Sequence, residues 1–235
     1  MPTPKGRSAC LGEQPLTRPT NSSLVRYGPG PHRVRITVEF VQEQEKMKIT
    51  KNRSFVIELA SLDDLPHSVH YFLDTVQLQL WDHTFFLHHE HVEHVIAGVP
   101  IDYRTQKLKT PPLASLGWSD GVAFPEYSPR VPHTQYTIGL AHRGPTFYLN
   151  TLDNTLPHGP GGGQGHHLLP EDGDPCFGKV VEGREVVDDL IEYGLAADRK
   201  KPSPPASDPT RSHPHEWEDD DDHSWTHILK VELVV

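Results

Sequence analysis

Hydrophobic residues alternate with polar ones from the first ordered-looking stretch of the chain. Val34, Ile36, Val38 and Phe40 are interleaved with Arg35, Thr37 and Glu39, the period-two signature of a half-buried strand over 33–42. A charged turn, EQEKMKITKNR, leads to a second strand over 54–60. The period then changes. In SLDDLPHSVHYFLDTVQLQLW, Val69, Phe72, Leu73 and Val76 follow the i, i+3, i+4, i+7 rule of a helix, with Asp63, Asp64 and Pro66 marking its start. Short apolar runs at 84–87, 95–98, 136–141, 146–151 and 176–181 predict further strands, the third and fourth joined by a tight HRGP turn. Residues 183–193 predict a second helix with Val186, Val187, Leu190 and Ile191 on one face and Gly194 beyond its end. HILKVELVV closes the chain as a strand. Strands outnumber helices, so the expected fold class is mainly β: an antiparallel barrel or sandwich with two capping helices.

Between these elements the composition predicts loops. Residues 1–32 are rich in Pro, Gly, Ser and Thr without periodicity and are expected to form an extended arm. Residues 101–123 read as loop. Residues 152–174 contain HGPGGGQGHH, a composition not expected to sustain a helix, and residues 198–224 are polar, proline-broken and acidic. The expected organisation is one domain over 33–235 carrying these last two stretches as inserted loops.

Charge narrows the function. The 235 residues hold 22 Lys/Arg against 32 Asp/Glu, a net charge of −10, and residues 1–53 alone carry a basic excess. A chain this acidic lacks the electrostatic footprint of a general nucleic-acid binder. No apolar run approaches the roughly 20 residues that span a bilayer, and the opening residues show no apolar signal-peptide core. A soluble protein of unspecified compartment is the expectation. Cys10 and Cys176 are too few for a disulfide framework or a four-cysteine zinc site.

The stretch CFGKVVEGREVVDDL, 176–190, resembles the cyclophilin-type peptidyl-prolyl isomerases, which carry phenylalanine-glycine-lysine-valine and then a valine-rich helix at this point. SFVIELASLDDLPHSVHYFLDTV, FPEYSPRVPHT, IGLAHRGP and TFYLNT resemble other parts of that family in the same order. The resemblance spans 33–235 and is clearest at 124–151 and 176–191. It implies a closed eight-stranded barrel capped by two helices, with the first and last strands paired. It also implies a proline-containing peptide as partner and no required cofactor. The rotation barrier of an X–Pro amide is about 20 kcal/mol. A hydrogen bond to the proline nitrogen in a desolvated pocket favours the twisted transition state. The family donates it from an arginine. Here the matching stretch is FFLHHEHVEH, which places His88 (or His89) in the arginine slot. Histidine is shorter and lacks the guanidinium fork, so weak or absent isomerase activity is expected. The implied peptide-binding residues are Phe147, Tyr148, Ala141, His142 and Ala97.

Twelve of the seventeen histidines fall into three groups. In the first, His89, His91 and Glu93 would share one face of a strand, a donor set suited to Zn²⁺ or another divalent metal. The competing interpretation is a solvated strand edge, and the HExxH pattern of zinc proteases is absent. The second group, His158, His166 and His167 beside Asp153 and Asn154, lies in the glycine-rich loop, which composition alone predicts to be flexible and polar. If the barrel is right, His88, His142 and this loop are expected to face one mouth. The third group, His213, His215, His223 and His227, flanks an acidic run expected to be solvated. Three functions follow as expectations: an isomerase or proline-peptide binder with a degenerate site, a non-enzymatic interaction module, and a histidine-based divalent metal-binding protein.

Overall fold

The computed structural model describes residues 19–44, 47–89, 95–110, 112–118, 121–122, 126–141, 143–162, 169, 172–198 and 226–234. In chain order the elements are α1 (Pro19–Tyr27), β1 (Arg33–Gln44), β2 (Met47–Leu59), α2 (Pro66–Gln77), β3 (Thr84–His89), β4 (Val95–Val99), β5 (Ile101–Asp102), β6 (Lys107–Leu108), β7 (Thr137–Leu140), β8 (Phe147–Asn150), α3 (Thr155–His158), β9 (Cys176–Glu182), α4 (Arg184–Asp198) and β10 (Thr226–Val234).

Eight of these strands close into an antiparallel barrel in the order β1-β10-β3-β4-β8-β7-β9-β2, with β2 returning to β1. The first and last strands pair from Arg33↔Val234 to Glu39↔His227, with one shift in register at Thr37/Val38. Alternation decides which side chains fill the interior. Val34, Ile36, Val38 and Phe40 of β1 point inward, as do Phe55, Ile57 and Leu59 of β2, and all are buried in one continuous core. Phe147 stands edge-on to Phe72, Trp81 and Phe86, with ring centroids at 5.7, 4.7 and 5.9 Å.

Two glycines make room for the paired aromatics of β8. A Cβ on Gly98 would lie 2.4 Å from the Phe147 ring, and a Cβ on Gly139 would lie 2.6 Å from the Tyr148 ring. Both glycines sit directly opposite these residues in the ladder, Gly98↔Phe147 and Gly139↔Tyr148. One aromatic therefore packs flat inside the barrel and the next packs flat against its outside.

Both expected helices are present. Val69, Phe72, Leu73 and Val76 of α2 and Val186, Val187 and Leu190 of α4 join the core, so each helix closes the barrel with the face its periodicity marked. Two expectations change. The arm expected to be extended over 1–32 contains α1, pinned to α2 by Asp74. This buried carboxylate accepts hydrogen bonds from Arg26, Tyr27 and the Trp118 indole. Residues 1–18 lie outside the described residues. The region expected to be all loop over 101–123 holds the β5–β6 hairpin, whose turn is drawn in by Asp102 accepting the Arg104 and Thr105 N–H groups.

Candidate functional site: a buried histidine–tyrosine–aspartate cluster on the outer barrel face

The outer side chains of β4 and β8 form a small apolar cluster separate from the core, made of Val95, Ala97 and Tyr148, with Val99 and Ala141 packed against it. Tyr148 carries the only polar atom among these side chains, and that hydroxyl enters a buried network. It lies 3.3 Å from Asp174 Oδ2, to which it donates, 3.2 Å from His158 Nδ1 and 3.4 Å from His133 Nδ1. His158 Nδ1 itself lies 2.8 Å from Asp174 Oδ2, the shortest contact of the group. The three rings are gathered at a tilt to one another, with Tyr148 and His158 at 4.9 Å and 35° and His133 and His158 at 5.3 Å and 32°.

The strands and loops place these groups by backbone as well as side chain. Asn150 follows Tyr148 on the same outer face, donates to the Thr137 hydroxyl at 3.0 Å and accepts from Asn154 Nδ2 at 2.9 Å. The Asn154 N–H donates to the His133 carbonyl, the His158 N–H to the Asn154 carbonyl, and the Asp174 N–H to the His158 carbonyl. The two ends of the glycine-rich loop are thereby sewn to each other and to the segment that leads into β7. This overturns the expectation of a flexible polar loop for its described part: it contains the one-turn helix α3, and His158 is 1 % exposed.

The hydrogen-bond pattern assigns the ring protons. His133 Nε2 lies 2.9 Å from the Asp174 carbonyl oxygen and so carries the proton, leaving Nδ1 to accept. His158 donates from Nδ1 to the Asp174 carboxylate, which fixes the ring orientation. Among the described residues its Nε2 is buried without a hydrogen-bond partner. Cys176, across from Gly139 in the ladder, is buried beside the cluster, and burial pushes its thiol up to about 12. It is a packing residue and not a nucleophile at neutral pH.

No family model, curated protein or solved structure matches the chain.

The residues expected to act divide sharply. Tyr148, Ala97 and Ala141 come together on the outer face. Phe147 does not join them: it is 0 % exposed inside the barrel, because adjacent strand residues point to opposite faces, and it supports the site from below. This corrects its assignment as a peptide-binding residue. His88 and His89 belong to β3, in register with Ile96 and Val95, and their side chains lie outside the description. His91, Glu93 and His142 fall outside the described residues, as do His166, His167, His213, His215 and His223. His227 stacks on Tyr103 at 4.0 Å and contacts Glu39 Oε2 at 3.1 Å, so it belongs to the β1–β10 seam and not to an acidic loop. Among the described residues no group of three or more His, Cys, Asp or Glu is placed to hold a metal ion. Nor is any of their helices long and apolar enough to cross a membrane.

His133 and Asp174 were not singled out by sequence reasoning. A signal for the network was present in Asn150, Asn154 and His158, three hydrogen-bonding residues at a spacing of four running out of β8.

Proposed function

We propose that the protein is a cyclophilin-like binding module. It holds a proline-containing segment of a partner protein against the loop that leaves β8, with prolyl isomerisation weak or absent. The observation that carries this is the exposed apolar surface of the loop that leaves β8, Leu152, Leu156 and Leu169, held in place by the buried cluster of Tyr148, Val95, Ala97 and the His158–Asp174 pair. The eight-stranded circuit with β1 paired to β10 also supports the family resemblance from which a proline partner follows. The three leucines are 51, 78 and 55 % exposed, whereas the Tyr148 ring that anchors the loop is buried. Proline-rich segments are preformed and extended, and they dock by placing compact apolar rings on aromatic and aliphatic surface at small entropic cost. Isomerisation asks for more, namely a donor aimed at the proline nitrogen in the transition state. The polar groups of this cluster are turned toward one another, with the Tyr148 hydroxyl donating to Asp174 and His158 enclosed.

The test pairs two measurements on one proline-containing peptide: binding by fluorescence anisotropy and isomerisation by NMR exchange. Saturable binding that weakens on Leu156→Asp, with exchange at the uncatalysed rate, is the expected result. Strong catalysis that falls on His88→Ala would restore the enzyme interpretation. Absence of binding by any proline-containing peptide would refute the proposal.

A further inference from the structure

The loop that leaves β8 carries charge of one sign beside its exposed leucines. From Thr151 to Asp174 the sequence holds four Asp/Glu and no Lys or Arg. Asp174 is engaged by His158 inside the buried cluster. Asp153 is exposed and stands between Leu152 and Leu156 in the chain. Its carboxylate is fixed there, because Oδ1 accepts the Thr155 N–H at 3.0 Å. Hydrogen bonds from the Thr155 side chain and backbone also lower its pKa, so it is charged throughout the neutral range. Asp172 is bracketed with the third leucine: its Oδ2 accepts the Leu169 N–H at 2.9 Å, and its own N–H donates to the Leu169 carbonyl at 3.0 Å.

The cations of neighbouring elements are engaged elsewhere or set apart. Arg143 lies in the turn at the opposite end of the β7–β8 hairpin and donates to the Val122 carbonyl. Arg130 is paired with Asp64 at 3.1 Å. Lys179 belongs to β9, with β7 between it and β8. Among the described residues no charged side chain is paired with Asp153.

We infer that the partner segment is basic: a proline-containing stretch flanked by Lys or Arg, with its apolar residues on Leu152, Leu156 and Leu169 and a flanking cation beside Asp153. This rests on the binding role proposed above and narrows the class of partner. Leucines alone accept any apolar segment, so the charge beside them decides among segments of similar shape. An acidic flank would meet like charge next to Leu152 and Leu156, which is how a surface rejects a wrong partner. The chain's net charge of −10 acts in the same direction at longer range, drawing basic segments toward the protein.

The test titrates three peptides into the full chain, followed by fluorescence anisotropy. They share one proline-containing core and differ only in flanks of Lys, Ser or Glu. At low ionic strength the Lys-flanked peptide is expected to bind about threefold tighter than the Ser-flanked one, and the Glu-flanked one to bind weakest. Salt at about 1 M, where screening sets in within about 3 Å, brings the three affinities together. Asp153→Asn keeps an acceptor for the Thr155 N–H, so the loop holds its path, and it narrows the gap between the Lys and Ser peptides. Asp63→Asn removes the same charge from an exposed position between β2 and α2 and leaves the gap in place. Equal affinities at low salt would overturn the inference while proline-peptide binding stands. A gap that survives Asp153→Asn, or that Asp63→Asn narrows equally, would overturn it by placing the selection in the field of the whole chain. No binding by any of the three would refute the binding role itself, and this inference with it.

Discussion

Removing the Asp174 carboxylate isolates the interaction that holds the outer-face cluster together. His158 and Asp174 side chains are 2 and 1 % exposed and meet at 2.8 Å, the distance of a charge-assisted hydrogen bond. Asp174→Ala leaves a buried imidazole without the acceptor that orients it, and its Nε2 already lacks a partner among the described residues. Removing a charged acceptor and leaving a buried donor unsatisfied costs about 2–3 kcal/mol. Tyr148→Phe is the control. The hydroxyl it removes makes contacts of 3.2, 3.3 and 3.4 Å, all longer than ordinary O–H hydrogen bonds, and the His158–Asp174 contact survives without it. That change costs about 1 kcal/mol. Urea unfolding of the full chain gives both values, and hydrogen exchange locates the loss. In Asp174→Ala the amides of Asn154 and His158 lose protection first, while Ile36 and Ile57 in the barrel core keep theirs. An Asp174→Ala protein within 1 kcal/mol of the parent, or a Tyr148→Phe protein equally damaged, would refute the hierarchy drawn from these distances.

Asp74→Asn strips the charge from an acceptor shared by Arg26, Tyr27 and Trp118, and is expected to cost about 2–4 kcal/mol and to release α1, read as faster amide exchange over 19–27. Gly98→Val drives a side chain into the Phe147 ring, which its Cβ alone would approach to 2.4 Å, and should lower the melting temperature by several degrees more than Gly117→Val, where a Cβ meets open space, even though Gly117 carries a strained φ of 91°. In Cys10→Ser protein the Cys176 thiol, raised to about 12 by burial, should resist aromatic disulfide reagents at pH 8 until denaturant is added. Burial holds the His70 imidazole below its ordinary pKa, more than the opposing Asp74 carboxylate restores. The unfolded chain therefore takes up that proton first as pH falls through about 6.5, and stability declines toward acid; His70→Gln should flatten that decline in a pH series of urea midpoints.

The barrel was legible in the sequence because its information is local and periodic. Val34, Ile36, Val38 and Phe40 declare an inward face whatever they pair with, and Val69, Phe72, Leu73 and Val76 declare a helix face that reaches the same core. The placement of Phe147 was misjudged for a related reason. Treating Phe147 and Tyr148 as one pocket wall ignored the alternation that the strand assignment itself required, and Gly98 and Gly139 were the clues to which ring lay on which side. The arm was misjudged because composition reports backbone freedom and not partners: α1 is poor in apolar residues, with Val25 89 % exposed, and its order comes from a carboxylate on α2. The glycine-rich loop was misjudged the same way. What orders it is a set of contacts between His133, Asn150, Asn154, His158 and Asp174, brought together only when β7, β8 and β9 are side by side.

That contrast between the two faces of the barrel bears on where function lies. The interior is filled by apolar and aromatic side chains, the arrangement that stabilises a barrel at least risk. The outer-face cluster is built differently: two histidines, a tyrosine, two asparagines and an aspartate are almost wholly buried, and His158 carries a nitrogen with no partner among the described residues. Burying such groups costs free energy that hydrogen bonding recovers only in part, and an apolar patch of the same shape would hold the loop at least as well. A polar network in that position is better explained by the geometry it imposes than by the stability it adds. It sets one path for the chain carrying the exposed Leu152 and Leu156, which the proposed binding role needs and a structural loop does not. If this is correct, Tyr148→Phe should weaken proline-peptide binding by more than its small stability cost accounts for, whereas Cys176→Ala, beside the same cluster but outside its hydrogen bonds to Asp174, should leave that binding unchanged.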